Sequence, residues 1–330
     1  MSTAIVVIGR NEGERLRVCL ESALRCSPDV VYVDSGSTDG SCELARSYSV
    51  HVVELDSELP FSAARARNAG FDFIHTRKPE LEFVQFVDGD CELDPAWIEC
   101  AQAAMVAPDL AVVCGRRRER HPERSIYNRL CDMEWDTPVG EALACGGDSL
   151  MRGEAFASVD GFDASVVAGE EPDLCLRLRQ KGWKIRRLDA EMTLHDADMM
   201  HFSQWWKRML RAGYAYAEGV RRYGVREHAH YGRNLMSAFF WGGAVPIVSL
   251  GLMSRSGGWL LIWAGAWSFL ALRVYTSRVK RDFPPSARLS YAVSSAVGKL
   301  PAFFGASLYI VRKLFSRPSH PIEYKDSPSN

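Results

Sequence analysis

The stretch Leu81-Glu82-Phe83-Val84-Gln85-Phe86-Val87-Asp88-Gly89-Asp90 decides how this chain is read. An apolar run that ends in two carboxylates one glycine apart describes a buried strand with hard oxygen ligands at its carboxyl end. Open α/β sheets bind their ligands at that edge. Mg²⁺ and Mn²⁺ favour carboxylate oxygens and keep positions open for substrate phosphates, so the pair suits a metal-bound diphosphate. Asp-Gly-Asp is equally an ordinary turn, because both residue types tolerate tight backbone geometry, and the surrounding chain has to decide.

Upstream, Ala4-Ile5-Val6-Val7-Ile8 is followed by the polar loop Gly9 to Glu14 and by an amphipathic stretch through Leu16, Cys19, Leu20, Ala23 and Leu24. This reads as strand, loop, helix. A second unit has Val30-Val31-Tyr32-Val33, the loop Asp34-Ser35-Gly36-Ser37-Thr38-Asp39-Gly40 and a helix through Leu44 and Tyr48, and a third strand opens at Val50-His51-Val52-Val53. Strands alternating with helices predict an α/β fold whose sheet is covered on both faces, with Asp34 and Asp88 at strand ends. The loop from Asp34 also suits a capped helix start, which is compatible with ligand contact.

Taken together, Ile8 to Gly13, Val33 to Gly40, Ala66-Arg67-Asn68-Ala69-Gly70, Asp88-Gly89-Asp90 and Gly169 to Leu178 resemble a family 2 glycosyltransferase of GT-A fold, Rossmann-like with a mostly parallel sheet. The ordered set covers roughly the first two thirds of the chain and is specific where each block alone is not. The resemblance implies nucleotide contacts from Gly9, Asn11, Glu12, Asp34, Ser35, Ser37, Asp39, Arg67, Asn68 and Asp88, with Asp34 at the base. It implies Mn²⁺ or Mg²⁺ on Asp90 and Asp88, with His195 of Leu194-His195-Asp196 as a third ligand. Gly9 stands where the family commonly has proline. Glu171 stands where an aspartate usually serves as the base, so the base is assigned to Glu171, with Asp173 or Glu170 as substitutes. Glu170, Glu171 and Asp173 also suit the acidic first turn of a helix over Leu174 to Lys181. Gly146-Gly147-Asp148 and Arg152 fall where the family places its donor and acceptor pocket, and their roles are not legible. A short strand is expected at Lys184 to Leu188.

The last third differs in character. Leu235–Met253 and Ser256–Leu272 carry no charge, and Leu289–Val311 carries only Lys299. Runs of roughly 20 apolar residues match a bilayer's hydrocarbon core, so membrane helices are expected over 231–315, with a disordered tail over 316–330. Lys299 argues that the third run is re-entrant or interfacial. Arg273, Arg278, Lys280, Arg281 and Arg288 place the intervening loop, and with it the catalytic domain of residues 1–230, on the cytoplasmic face of a multi-pass inner-membrane protein. Over 200–225, Phe202, Trp205, Trp206, Met209, Leu210, Gly213, Tyr216 and Val220 recur at helical spacing among arginines. The pattern fits either an interfacial helix on anionic lipid or an ordinary helix packed on the catalytic domain.

Gln204-Trp205-Trp206-Lys207-Arg208 does not match the Gln-x-x-Arg-Trp motif of processive synthases, which favours transfer of a single sugar. In 330 residues the net charge of -1 gives no global pull toward nucleic acid, and nine cysteines without a Cys-x-x-Cys pair fit a reducing compartment and no zinc site. No cleavable signal is read at the amino terminus, where the apolar run is short and meets Arg10.

The expectation is therefore an inverting, metal-dependent enzyme. It would move one sugar from a nucleotide donor, most readily a UDP-sugar, to a lipid-linked or saccharide acceptor at a membrane, in cell-surface polysaccharide or glycolipid assembly. The competing readings are a catalytically degenerate membrane scaffold and a nucleotidyltransferase, although no glycine-rich basic loop for a triphosphate follows the first strand.

Overall fold

The computed structural model describes residues 2–227, 229–252, 259–277 and 282–315. Three strand-helix units come first: β1 (Thr3–Gly9), α1 (Glu14–Cys26), β2 (Val30–Asp34), α2 (Ser41–Ser47), β3 (His51–Glu54) and α3 (Ala63–Arg77), leading into β4 (Phe83–Asp88). Strands β3, β2, β1 and β4 lie side by side and parallel, with Ile8 opposite both Val33 and Asp88. Alternate residues of β1 sort into two cores. Ile5 and Val7 pack with Leu16, Leu20 and Trp97 on one face, while Val6 and Ile8 pack with Ala66, Phe71 and Phe156 on the other. A strand buried on both faces needs this uninterrupted apolar run, which is what β1 and β4 have.

The sheet continues through β5 (Cys91–Leu93), α4 (Trp97–Ala104), β6 (Leu110–Glu119), α5 (Ile126–Trp135), β7 (Gly140–Glu141), β8 (Ser149–Arg152), α6 (Gly153–Ser158), α7 (Glu170–Gln180) and β9 (Lys184–His195). The order is β3-β2-β1-β4-β8-β6-β9-β5, with β7 on β9. Here pairing is mixed: β8 runs antiparallel to β4 and β6, and β5 antiparallel to β9, while β6 and β9 are parallel. The strand expected at 184–188 is twice as deep as its apolar residues imply and ends on His195.

The remaining elements are α8 (Phe202–Glu227), α9 (Ala229–Ser237), a π-helical segment (Ala238–Ala244), α10 (Val245–Leu252), α11 (Trp259–Thr276), α12 (Pro285–Val297) and α13 (Lys299–Leu314). The expected membrane module finds no support in them: no helix among the described residues is long and apolar enough to cross a membrane. The first apolar run is shared among α9, the π segment and α10. The third is cut at Gly298, and its lysine opens α13. α13 lies against α8 where Gly213 meets the Ala302 carbonyl and Gly305 meets the Leu210 carbonyl. An added Cβ would stand 1.9 Å from either oxygen, so only glycine permits this crossing. α8 is thus packed on protein along its Trp205, Tyr214 and Ala217 side. The loop charges Arg278, Lys280 and Arg281, parts of the first two runs and the tail 316–330 lie outside the described residues.

Candidate active site

The carboxyl ends of the parallel strands open into a cleft of about 780 Å³. Its floor is the turn after β4, where the Gly89 N–H donates to the Ile8 carbonyl (2.7 Å) and fixes the exit of the strand. Each carboxylate oxygen of Asp88 accepts from an arginine, Oδ1 from Arg67 Nη2 (2.8 Å) and Oδ2 from Arg117 Nη2 (3.0 Å). Burial raises the cost of charge on Asp88, but the two guanidiniums outweigh it and hold the carboxyl below the usual range. Arg117 is itself held by Asp148, which is fully buried and accepts from Arg117 Nε (2.8 Å), Thr193 Oγ1 (2.8 Å) and the Asp88 N–H (3.1 Å).

Asp90 is brought to His195 by strand register, since Cys91 of β5 pairs with His195 of β9. His195 Nε2 lies 3.3 Å from Asp90 Oδ2, and Nδ1 lies 3.9 Å from Glu119 Oε2. Burial works against a charged ring, yet these carboxylates pull the imidazole's pKa upward overall. The edge of Trp135 packs on the imidazole with centroids 4.6 Å apart. Ligand atoms of Asp88, Asp90, Cys91 and His195 all lie within 4.8 Å of one another. Burial and the neighbouring carboxylates push the Cys91 thiol far up and keep it protonated, which leaves the oxygen and imidazole donors. That donor set fits Mn²⁺ or Mg²⁺ and does not resemble a thiolate zinc site.

The opposite wall is the amino end of α7. Gly169 (φ 86°) caps this helix in the left-handed region and turns Glu170 and Glu171 toward Arg67, whose Nη1 lies 3.4 Å from Glu170 Oε1 and 3.5 Å from Glu171 Oε1. One guanidinium therefore joins the metal-motif carboxylate to both glutamates. Burial first, and the charge of Glu170 second, push the Glu171 carboxyl up to about 7 in spite of Arg67. Gly147 passes directly over this arginine: a Cβ there would stand 2.2 Å from Arg67 Nη2.

Gly9, Glu12, Ser35, Arg67, Asp88, Asp90, Glu170, Glu171 and His195 line the cleft. Six other expected residues do not. Asp34 is 2 % exposed and accepts from the Gly36 and Ser37 N–H groups and from Tyr32. The Asn11 N–H donates to Ser37 Oγ and its Oδ1 accepts from the Thr38 N–H, while Asp39 caps Gly13 and Ser41. These residues build the walls of the first two loops. Asn68 is engaged on both sides by the Phe162 backbone, and Asp173 accepts from Tyr223 Oη (2.5 Å) and Arg177 Nε (2.9 Å), so neither side chain is spare for a substrate. Arg117, Trp135 and Tyr231 line the cleft without having been singled out by sequence, and Arg208, read only as a charge on the 200–225 helix, lines it too. Asp148 was noticed only as part of a Gly-Gly-Asp run.

Comparison with known proteins agrees with this architecture. Residues 4–144 match the family described as Glycosyl transferase family 2. Glycosyltransferase AglE of Haloferax volcanii is 21% identical over 224 residues, covering 64% of this chain and 71% of that protein. The succinoglycan biosynthesis protein ExoA of Rhizobium meliloti is 23% identical over 293 residues, covering 82% and 84%. Among solved structures, the mannosyltransferase PcManGT from Pyrobaculum calidifontis, in complex with GDP-Man and Mn²⁺, superposes with a TM-score of 0.59 at 16% identity, over 95% of this chain and 87% of that one, which establishes a shared fold. The family match over residues 4–144 and the curated relatives agree: this part of the chain is similar to the family 2 glycosyltransferases, and the solved neighbour shares its fold.

Proposed function

We propose that the chain transfers a single sugar from a nucleotide-sugar donor to an acceptor hydroxyl, with inversion and with Mn²⁺ or Mg²⁺ bound. The observation that carries this reading is the Arg67 bridge, which sets a carboxylate of raised pKa, Glu171, across the cleft from Asp88, Asp90 and His195. Asp90 and His195, with Asp88 beside them, would hold the cation, which when bound neutralises charge on the departing diphosphate. Gly9, Glu12 and Ser35 line the donor side. Arg67 and Arg117 keep Asp88 ionised and oriented. Glu171 takes the proton of the acceptor hydroxyl, for which a carboxyl near 7 is well matched to neutral pH. With the base and the diphosphate on opposite walls, attack proceeds in one displacement. The mixed pocket half formed by Trp135, Arg208 and Tyr216 is the acceptor side.

The acceptor is taken to be lipid-linked or a saccharide, reached at a membrane surface. Ile247 and Val248 of α10, Ile262 and Phe269 of α11, and Leu314 with Phe315 beside Lys313 are exposed apolar groups suited to shallow insertion among headgroups without spanning. ExoA is by its name a protein of succinoglycan biosynthesis, which supports a saccharide acceptor. The test is a panel of UDP-, GDP- and dTDP-sugars with Mn²⁺, scored by release of nucleoside diphosphate. Release of one diphosphate that is lost in Asp90→Asn supports the proposal. No release from any donor, with or without membrane lipid extract as acceptor, overturns it.

A further inference from the structure

Two thiols meet at the rim of this cleft. Cys145, half-buried in the loop Ala144-Cys145-Gly146-Gly147-Asp148, lines the cavity, and its Sγ lies 3.5 Å from the Sγ of Cys175, which is fully buried in α7. Neither is disulfide-bonded. The two elements they join are those that shape the site. Gly147 covers Arg67 and Asp148 holds Arg117 on one side, while Cys175 stands one helical turn beyond Glu171 and so on the same face of α7. Cys114 also lines the cavity near the pair, but its thiol hydrogen-bonds to the Arg186 carbonyl, and Cys19 and Cys91 hydrogen-bond to carbonyl or carboxylate oxygens.

We infer that Cys145 and Cys175 form a peroxide-sensitive dithiol whose oxidation to a disulfide locks the 144–148 loop onto α7 and closes down transfer. Cys145 lines the cavity, where a small peroxide enters, and the fully buried Cys175 is in contact with it. The Cys145 sulfur attacks one peroxide oxygen; the S–O bond forms as the O–O bond breaks, leaving a sulfenic acid and one water. The Cys175 sulfur then attacks the Cys145 sulfur, and the S–S bond forms as the S–O bond breaks, releasing the second water. Two thiols lose two electrons and the peroxide gains them. Cys145 lines the cavity and the fully buried Cys175 does not, which assigns the attacking and resolving roles; the hydrogen bond between the two thiols, set against burial, also pulls Cys145 toward its thiolate. A disulfide is about 2.05 Å long, so loop and helix must approach each other, and displacements on the order of 1 Å at a catalytic carboxylate are costly to rate.

The test uses the full chain treated with hydrogen peroxide, alkylated and digested with trypsin without reduction. Cys175 is the sole cysteine of peptide 153–177, and peptide 130–152 carries Cys131 and Cys145. The expected result is a link between these two peptides that dithiothreitol removes, that Cys131→Ser retains and that Cys145→Ser or Cys175→Ser abolishes. Donor turnover is expected to fall about tenfold or more in oxidised wild type, to recover on reduction, and to be insensitive to the same peroxide in Cys175→Ser. Absence of the link at a peroxide dose that oxidises the exposed Cys100 overturns the inference, and so does a link that leaves turnover unchanged. The peptide map reads the link whether or not the donor has been identified.

Discussion

Arg67 is the residue on which the site turns, because one buried guanidinium touches Asp88, Glu170 and Glu171. Glu171 works as a base only when ionised, and its carboxyl stands at about 7, so kcat/KM is expected to rise with pH through that value. Removing the neighbouring charge in Glu170→Gln lowers the Glu171 pKa, and the acidic limb of the pH profile should move to lower pH; an unmoved limb would exclude Glu171 as the titrating group. Glu171→Gln should reduce kcat by about 10²–10⁴-fold while leaving binding of the nucleoside diphosphate intact. Asp148→Ala leaves Arg117 short of its main partner in a buried place, and a loss of about 3–5 kcal/mol in urea unfolding is expected. At this scale the sequence was partly legible. Asp88 and Asp90 stood out as a carboxylate pair at a strand end, Glu171 and His195 through the family resemblance, and all four line the cleft. Arg117 did not stand out, because Arg116, Arg117 and Arg118 are alike on paper. Which of them reaches the cleft is set by the irregular register of β6 on β9 around Cys114 to Arg117.

Among the elements, the parallel half of the sheet was readable because strands buried on both faces must be continuous apolar runs bounded by polar loops. The mixed half was less so: β8 and β5 are short, and their antiparallel pairing is decided by contacts far apart in sequence. The helical third was less legible for a related reason. A uniformly apolar run carries no period that marks where a helix stops, and at the break a Cβ on Gly298 would stand 2.9 Å from the Ser294 carbonyl and 3.4 Å from Met209 Sδ of α8. The α8–α13 crossing gives a direct check. Gly305→Ala forces a methyl against the Leu210 carbonyl, and we expect a stability loss of about 1–3 kcal/mol by urea unfolding, with weakened function on the α8 side of the cleft. At the site, Gly147→Ala should displace Arg67 and weaken nucleotide binding without comparable loss of overall stability.

As a whole, the molecule joins a strand-end cleft to a helical layer that leaves Ile247, Phe269 and Leu314 exposed. Binding to vesicles containing anionic lipid, by sedimentation, is expected and should weaken in Leu314→Asp; equal recovery in the supernatant with and without vesicles would contradict the surface reading. The central claim is that this cleft holds a divalent cation and a nucleoside diphosphate on Asp90 and its neighbours. Calorimetric titration of UDP, GDP and dTDP into the wild-type protein and Asp90→Asn, each with and without Mn²⁺, tests it most directly. The account predicts that one nucleotide binds the wild type only with Mn²⁺ and that Asp90→Asn abolishes this binding. Binding that is indifferent to both Mn²⁺ and the mutation, or no binding at all, would contradict it.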